Sequence, residues 1–263
     1  MNVVNFEVHQ PDNLNEDAPT LVLIHGLFGS LDNLAVMRRH FEKDYRVISI
    51  DLPDHGKSYR SQTFSFDAYA TAILDQLVKL NVTRLVLVGH SLGGKVSMVI
   101  ASRAPDLIEQ LVIMDIAPVQ YDPRHENVIA GLTSVDLTSI GSRKDAHREL
   151  SKHIHDNGTQ SFLLKSLYQD ENRQWHWRFN LDLVINDYPK LSDWPYSDVM
   201  YTGDTLFIKG SQSDYILAEH QPKIVHQFPN ATAKVVNAGH WLHSQKPQTV
   251  NALLTKYLPI YSN

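Results

Sequence analysis

Apolar residues along this chain fall into two alternating patterns. Short runs dominated by apolar side chains, at Leu21–His25, Arg46–Asp51, Arg84–Gly89, Leu111–Asp115, Leu206–Gly210 and Lys234–Asn237, read as strands, and an earlier one falls within Val3–His9. Runs this apolar suit strands covered on both faces, as in a parallel sheet. Between the second and third runs, Phe66, Tyr69, Ala70, Ile73, Leu74, Leu77 and Val78 recur at three- and four-residue intervals, which predicts a helix with one buried face. Val250, Leu253, Leu254, Tyr257 and Leu258 repeat that logic near the end, with Pro247 suited to the first helical turn. Strand patterns alternating with amphipathic helices predict an α/β fold, a mostly parallel central sheet flanked by helices.

The rhythm breaks between Pro118 and Gly203, where helical stretches such as Lys144–His155 and Gln160–Tyr168 replace the strand runs. The expected organisation is therefore a core made of residues 1–117 and 204–263, interrupted by a helical cap over 118–203. Trp175, Trp177, Phe179, Tyr188, Trp194 and Tyr196 enrich this insertion. Such amphipathic rings suit a surface closing over an apolar ligand, and they equally suit the seam between insertion and core.

Chemistry enters at Val86-Leu87-Val88-Gly89-His90-Ser91-Leu92-Gly93-Gly94, an apolar strand breaking into Gly-x-Ser-x-Gly and continuing into the helix-compatible Lys95-Val96-Ser97-Met98-Val99-Ile100. A serine at the apex of so tight a strand-to-helix turn needs small neighbours and projects into a pocket. The Leu92 N–H opens the helix, where unpaired amides favour a developing negative charge, making it a candidate oxyanion donor. A serine hydroxyl needs a base, and among 14 histidines His240 stands out in Asn237-Ala238-Gly239-His240-Trp241, between the last strand and the last helix. That loop belongs to the carboxyl edge of the sheet, the edge where Ser91 stands. His25-Gly26-Leu27-Phe28-Gly29-Ser30 is another glycine-rich strand exit, in which the Leu27 N–H is the second candidate oxyanion donor and His25 a brace for the loop. Asp51-Leu52-Pro53-Asp54-His55-Gly56-Lys57-Ser58 is read as a structural turn, permitted by Gly56 and tied by Asp51.

These segments, together with Leu31-Asp32-Asn33 and Met114-Asp115-Ile116-Ala117-Pro118-Val119, span residues 25 to 241 and resemble the α/β-hydrolase superfamily, most of all the YbfF-type esterases of bacteria. The resemblance implies the α/β-hydrolase fold and the chain order nucleophile, acid, histidine. At position 54, where the superfamily commonly has Gly or Asn, stands Asp54. In most members the acid lies three residues beyond the glycine ending the penultimate strand, which here falls on Ser213 of Gly210-Ser211-Gln212-Ser213. Two carboxylates remain open: Asp115, at the end of the strand after the elbow helix, and Asp214. The YbfF-type position favours Asp115, with Asp214 as the alternative and Ser213 as an accessory hydrogen-bond partner; capping of a following helix is the bland role for Asp115.

The expected activity is that of a serine esterase or acyl thioesterase, with acyl-CoA thioesters among the substrates the resemblance implies. Two rivals share the same residues: a carbon–carbon bond hydrolase or lyase served by Arg124, Lys165 and Arg178, and a weakly catalytic ligand receptor. Composition narrows the rest. A net charge of −5, from 24 basic and 29 acidic residues, leaves no basic footprint for nucleic acid. No cysteine is present for a disulfide or thiolate metal site, and His147, His153, His155 and Asp156 fit no compact metal template. No cofactor and no metal are expected. Met1 to Thr20 shows no secretory pattern and no segment reaches membrane-span length, so a cytoplasmic monomer or weak homo-oligomer without membrane anchor, acting on a small-molecule ester or thioester, is expected.

Overall fold

The two-sided apolar runs become the inner strands of one seven-stranded sheet. A computed structural model describes residues 3–15 and 18–258, so the outermost ends of the expected core lie outside the described residues. In chain order the elements are β1 (Phe6–His9), β2 (Thr20–Ile24), α1 (Ala35–Phe41), β3 (Val47–Ile50), α2 (Phe66–Lys79), β4 (Leu85–His90), α3 (Leu92–Arg103) and β5 (Ile108–Met114). Then follow α4 (Glu126–Ser134), α5 (Arg143–Leu150), α6 (Asn157–Lys165), β6 (Leu167–Gln169), β7 (Trp175–Trp177) and α7 (Leu181–Ser192). The chain closes with β8 (Asp204–Gly210), α8 (Gln221–Gln227), β9 (Ala231–Val236), α9 (Leu242–Gln245) and α10 (Pro247–Tyr257).

The strand order is β1-β3-β2-β4-β5-β8-β9, with β1 antiparallel to β3 and every other pairing parallel. Alternate residues of β2 feed opposite layers: Val22 and Ile24 pack with Tyr69, Ile73 and Leu77 of α2 and Val96 of α3, while Leu21 and Leu23 pack with Met37 and Phe41 of α1 and Val250 and Leu254 of α10. This is the mostly parallel, helix-flanked sheet that the element order predicts, in the architecture that the resemblance implies. Among the described residues no helix is long and apolar enough to cross a membrane.

Three local expectations are revised. The last strand begins at Ala231, ahead of the expected Lys234, and its residues Thr232–Val235 are exposed, so backbone pairing to β8 recruits an edge that carries little apolar signal. The helix expected over Gln160–Tyr168 instead starts at Asn157, capped by the Asp156 side chain, and ends at Lys165, because Leu167–Gln169 pairs across to Trp175–Trp177. The stretch Lys144–His155 is helical only to Leu150.

Residues between β5 and β8 thus hold four helices and a small hairpin. They are tied to the core at separate points: Ser166 Oγ donates to Phe28 O at 2.8 Å, Asn180 N donates to Asp54 O at 2.8 Å, and Lys95 Nζ donates to Ser192 O at 3.1 Å and Asp193 O at 2.7 Å. Asp54 adopts φ +65°, the left-handed region that Asp tolerates better than most side chains. Its buried carboxylate accepts from Ser61 N at 2.7 Å, Tyr69 Oη at 2.9 Å and Asn180 Nδ2 at 2.8 Å. Asp51 accepts from Leu31 N at 2.7 Å and Lys57 N at 2.9 Å, tying the turn at Gly56, whose φ is +55°.

Candidate active site

Ser91 sits between β4 and α3 with φ +53°, a conformation that costs a side-chain-bearing residue on the order of 1 kcal/mol or more and is held by its surroundings. The close packing that holds it forbids bulk nearby: a Cβ at Gly93 would lie 2.3 Å from His25 O and 2.6 Å from Ile24 O. Strand β2 therefore passes directly against the first turn of α3. Its exit loop brings Leu27 alongside Ser91, and both line the same pocket. The amides of Leu27 and Leu92 have no protein acceptor among the described residues.

The loop after β9 delivers His240 to this edge. His240 Nε2 lies 3.0 Å from Ser91 Oγ, and its Nδ1 lies 2.8 Å from Asp115 Oδ2. Asp115, just beyond β5 with φ +53°, is fully buried. Its Oδ1 accepts from Gly210 N at 2.8 Å, and its Oδ2 also accepts a short hydrogen bond from Ser213 Oγ. Donors thus hold both oxygens of this buried carboxylate, and Oδ2 is aimed at the imidazole. Asp214 stands apart, with 73% of its side chain exposed and paired to Arg124 at 2.9 Å. Ser91, His240, Asp115 and Ser213 are thus brought together, and Asp214 is not.

Tyr215 and His90, neighbours of His240, carry no sequence signal that singled them out. The Tyr215 ring stacks on His240 with centroids 3.9 Å apart and planes 18° apart, and the Arg124 guanidinium covers Tyr215 at 4.5 Å. His90 Nε2–H donates to His240 O at 2.9 Å, fixing the loop from below. His25 is a brace as expected: Leu52 N–H donates to its Nε2 at 3.0 Å, so its Nδ1 carries the proton and donates to Gly26 O at 2.8 Å. Burial keeps this imidazole collar neutral, holding His25 below its usual value, His90 well below it, His125 down to about 4 and His243 down to about 3. Burial likewise brings Lys95, one turn beyond Ser91, down to about 7.

Of the two roles open to the aromatic rings of the insertion, most take the seam. Trp177 stacks on Phe179 at 5.5 Å, Phe179 meets Phe28 at 5.0 Å, and Trp194 packs on Phe66 at 6.0 Å while its Nε1 donates to Gln227. Of the six, Tyr188 alone lines a pocket at Ser91; Phe162, Trp241, Tyr121 and Tyr215 supply the rest of the aromatic wall. Of Arg124, Lys165 and Arg178, the first reaches the Ser91 pockets and the second an outer groove, whereas Arg178 lies over the Tyr168 ring at 4.5 Å.

A family model described as the alpha/beta hydrolase fold matches residues 19–247. Esterase YbfF of Escherichia coli is 35% identical over 257 residues, covering 97% of this chain and 98% of that protein. The sn-1-specific diacylglycerol lipase ABHD11 of Mus musculus is 35% identical over 249 residues, covering 91% of this chain and 81% of that one. Among solved structures, a marine microorganism esterase superposes with a TM-score of 0.92 at 29% identity, covering 98% of this chain and 100% of the other.

Proposed function

The chain belongs to the α/β-hydrolase fold family, and from that premise we propose that this carboxylic ester hydrolase works through an acyl-enzyme on Ser91 and accepts acyl thioesters as well as oxygen esters. The class of reaction is the one named for its esterase and lipase relatives. The observation that carries the residue assignment is the continuous line Ser91 Oγ, His240 Nε2, His240 Nδ1, Asp115 Oδ2, with steps of 3.0 Å and 2.8 Å.

His240 takes the Ser91 proton as Oγ attacks the acyl carbonyl, and the Asp115 carboxylate stabilises the imidazolium that forms. The Leu27 and Leu92 amides receive the oxyanion; each such donor contributes about 3 kcal/mol in comparable sites. The imidazolium then protonates the leaving oxygen or sulfur, and water repeats the cycle to release the acid. An acyl-CoA thioester presents the same carbonyl and a better leaving group, so it falls within the same chemistry.

The test is hydrolysis of p-nitrophenyl esters and acyl-CoA thioesters by the parent protein and Ser91→Ala, with mass spectrometry of the quenched protein. Turnover abolished in Ser91→Ala and a mass increment of one acyl group on the parent are expected. Equal turnover by both proteins, or none on any ester, would overturn the proposal.

A further inference from the structure

Two pockets meet at Ser91, and His240 lines only one of them. That difference has a chemical meaning. When the tetrahedral intermediate collapses, the bond from the acyl carbon to the leaving oxygen or sulfur breaks, and that atom takes the proton His240 had accepted from Ser91. The leaving group therefore departs on the side where His240 stands, and the acyl chain occupies the other.

The His240 side is the larger. It offers about 220 Å³, walled by Phe162, Trp241 and His243, and through Asn33 and these same three residues it continues into an outer groove of about 560 Å³. The Nδ1 of His243, a residue 7% exposed, has no hydrogen-bond partner at this junction. The second pocket, between Leu92, Ile116, Tyr121 and Leu191, offers about 40 Å³. Since one water-sized group needs roughly 10–15 Å³ of such space, about three or four atoms fit beyond the carbonyl carbon. Its walls are also held: Tyr121 Oη donates to Tyr215 O at 2.6 Å, and the Lys95 bonds to Ser192 O and Asp193 O fix the end of α7.

We propose, taking the Ser91 acyl-enzyme as the reaction, that the site is built for short acyl groups on bulky leaving groups: an acetyl-to-pentanoyl chain enters the Leu92–Ile116–Leu191 pocket, and a large alcohol or thiol fills the His240 side. The substrate class is thus a short-chain ester or thioester of a large alcohol or thiol.

The experiment measures kcat/KM across p-nitrophenyl acetate, butanoate, hexanoate and octanoate below their micelle concentrations. It then compares benzyl with naphthylmethyl butanoate, whose oxygens leave with similar ease. A fall of about tenfold or more from butanoate to octanoate, with both alcohols accepted within about threefold, is expected from overpacking the smaller pocket while the larger one takes the alcohol. Leu191→Ala should move the acyl optimum to longer chains and leave the alcohol comparison unchanged; Leu191→Val serves if the alanine variant does not fold. A parent profile flat or rising to octanoate overturns the inference while the Ser91 acyl-enzyme stands. An acyl optimum moved by Phe162→Ala and not by Leu191 variants reverses the two subsites and overturns it too. No Ser91-dependent turnover on any ester overturns both readings.

Discussion

Asp115→Asn isolates the charge that the proposed mechanism places under His240. The carboxylate is fully buried, and its two oxygens are committed to Gly210 N, Ser213 Oγ and His240 Nδ1. An asparagine of the same shape keeps an acceptor for Gly210 N but turns its amide donor toward Nδ1. The imidazole then holds its proton on Nε2, and a donor faces Ser91 where a base is required. Loss of the charge and inversion of the tautomer together predict a fall in kcat of about 10⁴-fold, or about 5 kcal/mol of barrier. Asp214→Asn breaks only an exposed pair with Arg124, worth at most about 1 kcal/mol, and should leave the rate within a few-fold. The assay is steady-state hydrolysis of p-nitrophenyl butanoate, with circular dichroism to confirm that both variants are folded. Retention of more than about a tenth of the activity in Asp115→Asn, or an equal loss in Asp214→Asn, would refute the assignment.

Three further outcomes follow from the buried polar groups. Because burial brings folded Lys95 down to about 7, the unfolded chain holds the extra proton above that pH, and stability should rise by about 1 kcal/mol per unit between pH 7 and 9. Urea unfolding of Lys95→Met should show this slope flattened, and an unchanged slope would contradict the reading. His55 and His243, held near 3, His125, held near 4, and the lowered His25 and His90 all stay neutral in the fold while their unfolded counterparts charge below about pH 6.5. Their stabilisation is complete above that pH and is lost as pH falls, each by about 1 kcal/mol per unit, so circular dichroism should find acid unfolding near about pH 5; a signal unchanged down to pH 4 would oppose it. Asp54→Ala strands the donors of Ser61, Tyr69 and Asn180, predicting a loss of about 3 kcal/mol and a Tm lower by roughly 6–12 °C, with a smaller drop in Asp54→Asn; calorimetry showing under about 2 °C for the alanine variant would remove this carboxylate from the structural account.

What was legible in the sequence divides along a physical line. The elbow could be read because its constraints are local: a strand pattern, a serine at positive φ and glycines where neighbouring backbone leaves no room lie within a few residues. The acid was readable as a preference for Asp115 over Asp214 carried by the resemblance, since which of them meets His240 depends on the edge geometry. Two features made that decision in space, the Gly210 amide on Asp115 and the Arg124 pair on Asp214, and each joins residues about ninety apart in the chain. The pocket wall was less legible still. Periodicity reports the face that a helix buries, not whether that face meets packed core or a cavity, and loops carry no such signal: Phe162 comes from α6, Tyr188 from the buried face of α7, and Tyr121 and Tyr215 from loops. The conspicuous Trp177, Phe179 and Trp194 went to the seam because large apolar rings contribute most where water is fully excluded. On the proposed mechanism a turn residue should act on the rate with every substrate, whereas changes at Phe162 and Leu191, which packing alone supports, should change the preferred substrate and leave the Ser91–His240–Asp115 geometry in place.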